Sequence, residues 1–328
     1  MLDEYDIIRL ITRGFGRLPE GYVPIGDDVA LIPPSARGQD VVLKCDMLVA
    51  KTDVPPGMSF KMAARKAVAM CVSDFAAKGA RPTAFMVSLG LRRETPEVEV
   101  VELASGLLEA SREWDLKLVG GDTGETDDLL IVCMMVGFAK RIVRRGGARP
   151  GEYVVTSGTF GQTAAGLKIL VEGAKAAPGF RKEAVASVYV PKPRLRLGLA
   201  VSRYLSSSID SSDGLAISLH TIAEMSGVGI RLTEVPYAKG LEEFASRNSY
   251  SVEDLALYGG EEYEIVGTVR KGRLREVNAK ARTAGCELCV IGETVPAETL
   301  KGVALPDGRK VRRDGWVHFR SLPLTGCG

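Results

Sequence analysis

The stretch "KLVGGDTGETDDL", residues 117–129, ends an apolar, strand-like run with two glycines and Asp122. A second apolar run, "LLIVCMMVGFA", follows at residues 129–139. Short apolar runs bounded by glycine and aspartate are typical of strands. The stretch therefore predicts two strands joined by an acidic loop, with the acids that follow Asp122 in solvent.

Strand-like and helix-like patterns alternate on both sides of this stretch, which predicts the α/β class. In the first half the predicted elements are strands at residues 22–32, 40–48, 83–91, 115–121 and 129–139, with helices at 59–78 and 97–114. In the second half they are strands at 152–158, 206–210, 229–235, 258–269 and 288–295, with helices at 162–173, 194–204, 212–225 and 273–284.

The segment "RRGGARPGEY", residues 144–153, is the best candidate for a join between domains because glycine, proline and arginine are concentrated there. A chain of 328 residues also favours two domains over one large one. We therefore predict an N-terminal domain at residues 1–147 and a C-terminal domain at 148–328.

Composition narrows the class of partner. The formal net charge of +2 predicts neither a nucleic-acid footprint nor a polybasic membrane patch. The start "MLDEYDIIRLI" carries acids where a secretory signal carries bases, and no apolar run approaches the roughly 18 residues that span a bilayer. The expected location is the cytoplasm. A near absence of Asn and Gln indicates a thermophilic source.

Several kinds of site are poorly supported. The chain has only two histidines, His220 and His318, so neither a zinc site built on histidine pairs nor a Ser-His-Asp triad is indicated. Cys286 and Cys289 form a single CxxC, which predicts buried thiols on a strand rather than a zinc site. The loop "GTFGQTAAG" lacks the lysine of a phosphate-binding loop, although free N–H groups at such a helix start could hold an anion.

The remaining candidates for a functional site are aspartates, each of which lies beside a strand end or a helix start. They can be turn or N-cap residues, but several lie in apolar segments, where an unpaired charge is costly. Clustered carboxylates without His or Cys suit magnesium bound together with substrate phosphates. A site of this kind, without a general base, indicates phosphoryl transfer to an acceptor that is already ionised, such as a phosphate. The candidates are Asp27, Asp28, Asp46, Asp74, Asp122, Asp210 and Asp213.

Eight motifs in this order resemble the thiamine-monophosphate kinase family. They are "GDDVAL" at Gly26, "CDMLV" at Cys45, "SDFAAKGARP" at Ser73, "GGDT" at Gly120, "RRGGARPGE" at Arg144, "IDSSDGL" at Ile209, "GGEEYE" at Gly259 and "DGW" at Asp314. The resemblance covers nearly the whole chain. It implies two α/β domains, ATP-dependent phosphorylation of thiamine monophosphate with several magnesium ions, and a homodimer whose N-terminal strands form a shared β-barrel.

Site residues follow from the matching motif positions. The resemblance implies magnesium ligands at Asp28, Asp46, Asp74, Asp122, Asp210 and Asp213, with Asp46, Asp122 and Asp210 central to catalysis. It implies nucleotide contacts at Gly121, Asp122, Arg145 and Ser212. It implies substrate contacts at Asp53, Glu261 and Trp316, whose indole face suits the flat, cationic thiamine.

The chain departs from the family pattern at a few positions. Lys44 and Cys45 stand where a hydroxyl pair is usual, and Asp53 stands where many bacterial members have histidine. Glu262 replaces an aspartate, and Ser105 lies near a position expected to be tyrosine. Two rival functions stay open. One is another ATP-using enzyme of the same superfamily, such as a hydrogenase-maturation protein, for which Cys327 is suggestive. The other is a non-catalytic sensor of magnesium-bound nucleotide.

Overall fold

The computed structural model describes residues 27–32 and 38–319, and these form two mixed sheets with helices packed on them. Gly26, Cys327 and the first part of the strand predicted at 22–32 lie outside the described residues. The strands are β1 (Ala30–Ile32), β2 (Asp40–Val49), β3 (Arg81–Leu91), β4 (Lys117–Glu125), β5 (Leu130–Ala139), β6 (Tyr153–Thr156), β7 (Leu205–Ser211), β8 (Val228–Leu232), β9 (Glu264–Val269), β10 (Cys289–Pro296) and β11 (Val303–Ala304).

The helices were predicted in part. They are α1 (Ala50–Asp53), α2 (Phe60–Lys78), α3 (Glu97–Glu113), α4 (Gln162–Glu172), α5 (Pro178–Tyr189), α6 (Leu195–Val201), α7 (Leu215–Ser226), α8 (Leu241–Asn248), α9 (Val252–Tyr258) and α10 (Leu274–Thr283). The predicted helices at 59–78 and 97–114 are confirmed. The sequence analysis missed α1, α5, α8 and α9. Helices α1, α8 and α9 have 4, 8 and 7 residues, which is too short for a helical period to stand out. Helix α5 begins with Pro178 and Gly179, a pair that is typical of a turn.

The N-terminal sheet has the strand order β1-β2-β5-β3-β4, and the C-terminal sheet has the order β11-β8-β10-β6-β9-β7. Most neighbours are antiparallel, whereas β3 with β4 and β8 with β11 are parallel pairs. The α/β class is confirmed. Neither sheet closes into a barrel within the described residues, so the barrel expected from the resemblance is not present in one chain.

Helix α2 lies between the two sheets and contacts both. Its start is capped by Ser59, whose hydroxyl accepts the Met62 N–H at 3.3 Å, and it ends at Gly79 with a left-handed φ of 65°. Alanines on its buried faces allow close packing. A Cβ on Gly198 of α6 would lie only 1.9 Å from the Ala76 carbonyl oxygen, so this contact requires glycine. Because α2 packs against both sheets, several of its polar residues are buried between them.

Cysteine placement corrects one expectation. Strand β10 begins at Cys289, so Cys286 precedes the strand, and both thiols are half-buried and free rather than fully buried. Among the described residues, no helix combines the length and apolar character needed to cross a bilayer.

Candidate active site

Three of the predicted aspartates meet in the space between the sheets. Asp28 precedes β1, Asp74 lies on α2, and Asp210 lies near the end of β7. One carboxylate oxygen from each lies within 4.8 Å of the others, and all three residues are buried. Residues far apart in sequence thus form one acid cluster, defined here as Asp28, Asp74 and Asp210.

Asp28 is held by two cations. The ammonium of Lys78 and the guanidinium of Arg145 both pair with its carboxylate. Burial favours the neutral acid, but these two charges outweigh it and hold the pKa of Asp28 below its usual value. Lys78 also pairs with Asp27 at 2.9 Å and donates to the Ser208 carbonyl at 2.6 Å. Arg145 thereby lies in the site and not in a solvated linker.

Asp74 shares a cation with Asp46. The Nζ of Lys44 lies 2.9 Å from the Asp74 carboxylate and 3.4 Å from that of Asp46. Burial raises the pKa of Asp74 well above its usual value, which the charge of Lys44 only partly offsets. Lys44, which stands where the family usually has a hydroxyl residue, therefore neutralises carboxylate charge at the edge of the acid cluster.

Asp210 accepts a hydrogen bond from the Ser73 hydroxyl at 2.9 Å. Burial, together with the nearby Asp28 carboxylate, raises the pKa of Asp210 to about 6. The neighbouring Ser211 hydroxyl is buried and has no hydrogen-bond partner among the described residues. Successive side chains of a strand point to opposite faces of the sheet, so the Ser211 hydroxyl faces away from the Asp210 carboxylate and from the acid cluster.

The acid cluster fits magnesium chemically. Carboxylate oxygens are the hard ligands that magnesium prefers, and three converge here without His or Cys. Burial, and after it the repulsion between neighbouring carboxylates, raises the pKa values of Asp74 and Asp210, and a bound cation would offset both effects. Asp28, Asp74 and Asp210 are the residues placed to hold it, with Asp46 next to them.

Asp122 does not join this cluster. The strand pairings place Asp46, Cys133, Val87 and Gly121 in one row across β2, β5, β3 and β4. Cys133 and Val87 in this row are buried, so the row faces inward. Asp122 is the next residue along β4 and points to the opposite, exposed face. Three strand spacings also separate Asp46 from Gly121, about 14 Å along the sheet.

A small cavity of about 310 Å³ opens beside Asp122. Its apolar wall consists of Val87, Leu89, Leu107 and Leu118, and its polar rim is the backbone from Gly120 to Thr123. A Cβ on Gly121 would lie 2.1 Å from the Val87 carbonyl oxygen, so β3 and β4 can pair here only because residue 121 is glycine. The predicted nucleotide contact at Gly121 thus borders a pocket of suitable character for a flat base.

The predicted substrate contacts are linked by a lysine that the sequence analysis missed. Lys66 on α2 is buried, pairs with the Glu261 carboxylate and donates to the Asp53 carbonyl at 2.9 Å. The Asp53 carboxylate itself accepts the Val49 N–H at 2.7 Å, at the start of α1. Asp53 and Glu261 are therefore brought together, with the backbone of Asp53 as the group nearest to the lysine.

Trp316 is 42% exposed and lies beside Asp213, whose carbonyl accepts its backbone N–H at 3.0 Å. Its ring meets that of His318 edge to face, with the centroids 5.7 Å apart. The Asp213 carboxylate is not part of the acid cluster. The carbonyl oxygen of Ser212, the residue before Asp213, accepts a hydrogen bond from the Glu261 N–H at 2.6 Å. The segment of Ser212 and Asp213 thus anchors both Glu261 and Trp316.

The segment around Glu261 has unusual backbone geometry. Glu261 and Tyr263 have φ values of 64° and 53°, in the left-handed region that residues other than glycine rarely adopt. Between them, the Glu262 carboxylate accepts the N–H groups of Gly161 and Thr163 at 2.7 and 3.1 Å. The helix start that could have held an external anion is therefore capped by the chain's own Glu262.

Three lysines, at positions 44, 66 and 78, were not predicted as site residues. Lys44 and Lys78 lie in or beside a motif, and Lys66 and Lys78, together with Arg65, are buried charges on an alanine-rich helix. A buried lysine requires a partner. That signal could have identified them, but the helix pattern alone does not show which lysines face inward.

Comparisons with known proteins agree with this architecture. Residues 26–139 match the family model described as AIR synthase related protein, N-terminal domain. The chain is similar to the thiamine-monophosphate kinase of Nitrosopumilus maritimus, at 35% identity over 97% of this chain and 99% of that protein. It is similar to that of Pyrococcus abyssi, at 33% identity over 96% of each chain. The solved structure of AaThiL complexed with AMPPCP and TMP matches with a TM-score of 0.85 and 27% identity, covering 97% of both chains.

Proposed function

Because the chain belongs to the thiamine-monophosphate kinase family, we propose that it transfers the γ-phosphoryl group of ATP to the phosphate of thiamine monophosphate. The products are thiamine diphosphate and ADP. The observation that carries this function is the buried acid cluster, where carboxylates from both halves of the chain meet. A related protein was solved with AMPPCP and TMP together, which supports the same pair of substrates here.

The reaction needs little from a general base. A phosphate oxygen of thiamine monophosphate forms a bond to the γ-phosphorus as the bond from that phosphorus to the β,γ-bridging oxygen breaks, and ADP leaves with that oxygen. The attacking phosphate is already ionised near neutral pH, so positioning and charge neutralisation supply most of the catalysis. Accordingly, the buried His220 is engaged by the Val311 carbonyl at 3.0 Å and is not needed as a base.

We assign the magnesium ligands to Asp28, Asp74 and Asp210, with Asp46 beside them. Bound magnesium would neutralise charge on the transferring phosphoryl group. The chain's own cations add to this: Arg145 has a guanidinium fork that matches phosphate oxygens once Asp28 shares its charge with a metal. Asp213 lies outside the cluster and would serve a separate ion.

The nucleotide base is assigned to the apolar cavity between Leu107 and Gly121. Thiamine monophosphate is assigned to the region of Asp53, Glu261 and Trp316. The exposed Trp316 face favours the permanent positive charge of the thiazolium ring. The Glu261 carboxylate, whose charge Lys66 balances, is placed to accept a hydrogen bond from the substrate. Ser212 supports this region through its backbone bond to Glu261.

A homodimer is supported by the N-terminal sheet. Strand β4 is an edge strand that is exposed along its whole length, and it carries Val119 at 62% exposure. Met47 and Met86 on neighbouring strands are also exposed. Such an edge is a template for pairing. A second copy would cover this face and complete the shared barrel.

Asp122 lies on this same outer face, away from the acid cluster of its own chain. We therefore assign it to the site of the partner copy, where the nucleotide would bridge the two chains. This assignment explains how a residue about three strand spacings from Asp46 can still serve catalysis.

The domain boundary is placed between residues 147 and 148, within the linker that precedes β6.

The proposed location is the cytoplasm, where ATP is available, and the proposed partners are small molecules and a second copy, without nucleic acid or membrane. The scarcity of Asn and Gln supports a thermophilic source.

Two rival functions are separated by one assay. Purified protein is incubated with ATP, magnesium and thiamine monophosphate, and the thiamine species are resolved by chromatography. Magnesium-dependent thiamine diphosphate supports the kinase. ATP bound without turnover would favour a sensor, and ATP consumed only with another acceptor would favour a different enzyme of the superfamily.

A further inference from the structure

A second cavity, of about 580 Å³, lies where the two halves of the chain meet. Its walls come from the start of β2, the segment after β5, the domain linker, the turn before β7 and the segment after β9. Asp40 is the one carboxylate among the described lining residues. The cations that line it are Lys140, Arg141, Arg144, Arg149, Arg203, Arg270 and Arg273.

Four of these cations have no local compensation. Within the part of the chain that the structure describes, the side chains of Lys140, Arg141, Arg144 and Arg149 make no ion pair or hydrogen bond, and all four residues are exposed. Clustered like charges repel one another, and a chain with a net charge of only +2 has concentrated them here. The cavity is therefore a local positive centre that would attract an anion.

Two further guanidiniums are held in place by one aromatic ring. Arg203 and Arg273 lie over the ring of Tyr204, at 4.6 and 4.8 Å from its centroid. Arg273 also pairs with Glu276 at 3.0 Å, whereas Arg270 reaches Glu152 only at 4.0 Å. Their planar forks are thus partly ordered before any ligand arrives, which lowers the entropy lost on binding.

We propose that this basic cavity is a binding site for a compact anion that carries two or three phosphate groups. Arginine forks bind phosphate oxygens in bidentate fashion, and six of the seven cations are arginine. The volume is in the range of small-molecule pockets, whereas an extended nucleic acid would need a longer basic track. The site is separate from the acid cluster, and the proposal does not rest on the proposed kinase reaction.

An anion bound in the basic cavity would affect the acid cluster through the backbone that connects the two sites. The Arg144 carbonyl accepts the Ser208 N–H at 2.9 Å, two residues before Asp210 on β7. The next residue, Arg145, pairs with Asp28. An anion that draws in the Arg144 side chain therefore acts on a backbone segment fixed to two members of the cluster, and it also bridges the two halves of the chain.

Inorganic tripolyphosphate, titrated into the full chain by calorimetry in magnesium-free buffer at low salt, tests the site. The decisive variant is Arg141→Gln combined with Arg149→Gln, because both side chains are exposed and unpaired and their loss should not affect folding. Affinity should fall about tenfold or more. The matched control is Arg92→Gln combined with Arg181→Gln, two exposed arginines outside the cavity with the same loss of charge, and it should bind like the wild type.

Asp210→Asn separates the two sites. Binding of tripolyphosphate by this variant should be unchanged if the anion occupies the basic cavity. Equal affinity in the Arg141 and Arg149 double variant, or loss of binding in Asp210→Asn, would overturn the proposal. So would binding of an oligonucleotide or of phosphatidylserine vesicles through these arginines without binding of tripolyphosphate. ATP added as a competitor then distinguishes a nucleotide from a free polyphosphate as the natural source.

Discussion

Lys66 forms a buried ion pair with Glu261. It also donates to the Asp53 carbonyl, so one ammonium on helix α2 fixes two of the three positions assigned to thiamine monophosphate. Glu261 itself has a left-handed φ of 64°, a strained conformation that persists only where its surroundings hold it. The substrate region is thus preorganised by a residue that need not touch the substrate.

Lys66→Met should weaken binding of thiamine monophosphate while leaving phosphoryl transfer largely intact. Without its partner, the Glu261 side chain loses its fixed orientation, so KM for thiamine monophosphate should rise about tenfold with little change in kcat. Unfolding should become easier by about 2 kcal/mol, because a partly buried carboxylate is left unpaired. Steady-state kinetics and urea denaturation measure the two effects.

Lys61→Met is the matched control for this change. Lys61 lies on the same helix but is exposed, and it pairs with Glu109 at 2.7 Å on the surface. A similar rise in KM in both variants would show that the effect comes from the helix and not from the pair with Glu261.

Asp210→Asn should abolish turnover without loss of the fold. Asparagine keeps the shape and can still accept the Ser73 hydroxyl bond at 2.9 Å, but it removes one of three charges that would hold magnesium. We expect kcat to fall by at least about a hundredfold. Added magnesium should raise the Tm of the wild type and leave that of the variant unchanged.

An exposed carboxylate provides the comparison for Asp210. Asp307→Asn changes a residue that pairs with Arg309 on the surface, and it should retain both activity and the magnesium-dependent rise in Tm. If Asp210→Asn keeps that rise, the acid cluster is not the magnesium site.

The sequence was informative where a charge interrupted an apolar run. Asp74 and Asp210 were predicted as site residues because buried carboxylates require compensation, and the structure brings both into the acid cluster with Asp28. The same requirement holds for Lys66 and Lys78, but the sequence does not show that these two lysines are buried. A helical pattern shows that one face is buried, but alanines on several sides of α2 leave the orientation of each lysine undetermined.

The orientation of Asp122 could not be predicted from the sequence. Phe85 pairs with Leu118, but the next residue, Met86, pairs with Gly120, so an irregularity in β4 shifts the register by one residue. A shift of one residue moves every following side chain to the other face of the sheet. Asp122 consequently faces outward. Such a shift depends on the packing of two strands and has no signature in either strand alone.

The stability of the protein should depend on pH through Glu262. Burial raises the pKa of Glu262 to about 7 from an ordinary value of 4.5, although the N–H groups of Thr163 and Gly161 oppose the shift. A carboxyl with a raised pKa in the folded state favours folding while it is protonated. Its contribution is fully present below about pH 4.5 and is lost as the pH rises through about 7.

Glu262→Gln should remove this dependence. Between pH 4.5 and 7.5, the free energy of unfolding of the wild type should fall relative to that of the variant, as measured by urea denaturation at several pH values. Glu183→Gln, an exposed carboxylate lining the cavity that also contains Glu262, serves as the control and should follow the wild type. Parallel curves for the wild type and Glu262→Gln would refute the assignment.

Val119→Lys should convert a dimer into monomers. Val119 is 62% exposed on the edge strand β4, and a lysine buried at an interface through this edge would be costly. Sedimentation velocity should show the wild type as a dimer and the variant as a monomer. Val171→Lys, at 64% exposure on helix α4, introduces the same change elsewhere and should remain dimeric. A monomeric wild type would contradict the expected dimer.

Mixed dimers test whether Asp122 serves the partner's site. Asp122→Asn and Asp210→Asn should each be inactive alone, because every site then lacks one carboxylate. If Asp122 acts across the interface, a mixed dimer contains one site with both residues intact, since the acid cluster of one variant meets the unchanged Asp122 of the other. Random reassortment of equal amounts makes half of the dimers mixed, so about a quarter of the wild-type activity should return. If both residues serve the same chain, no intact site forms and the mixture stays inactive, which would place Asp122 with its own cluster despite the outward face of β4.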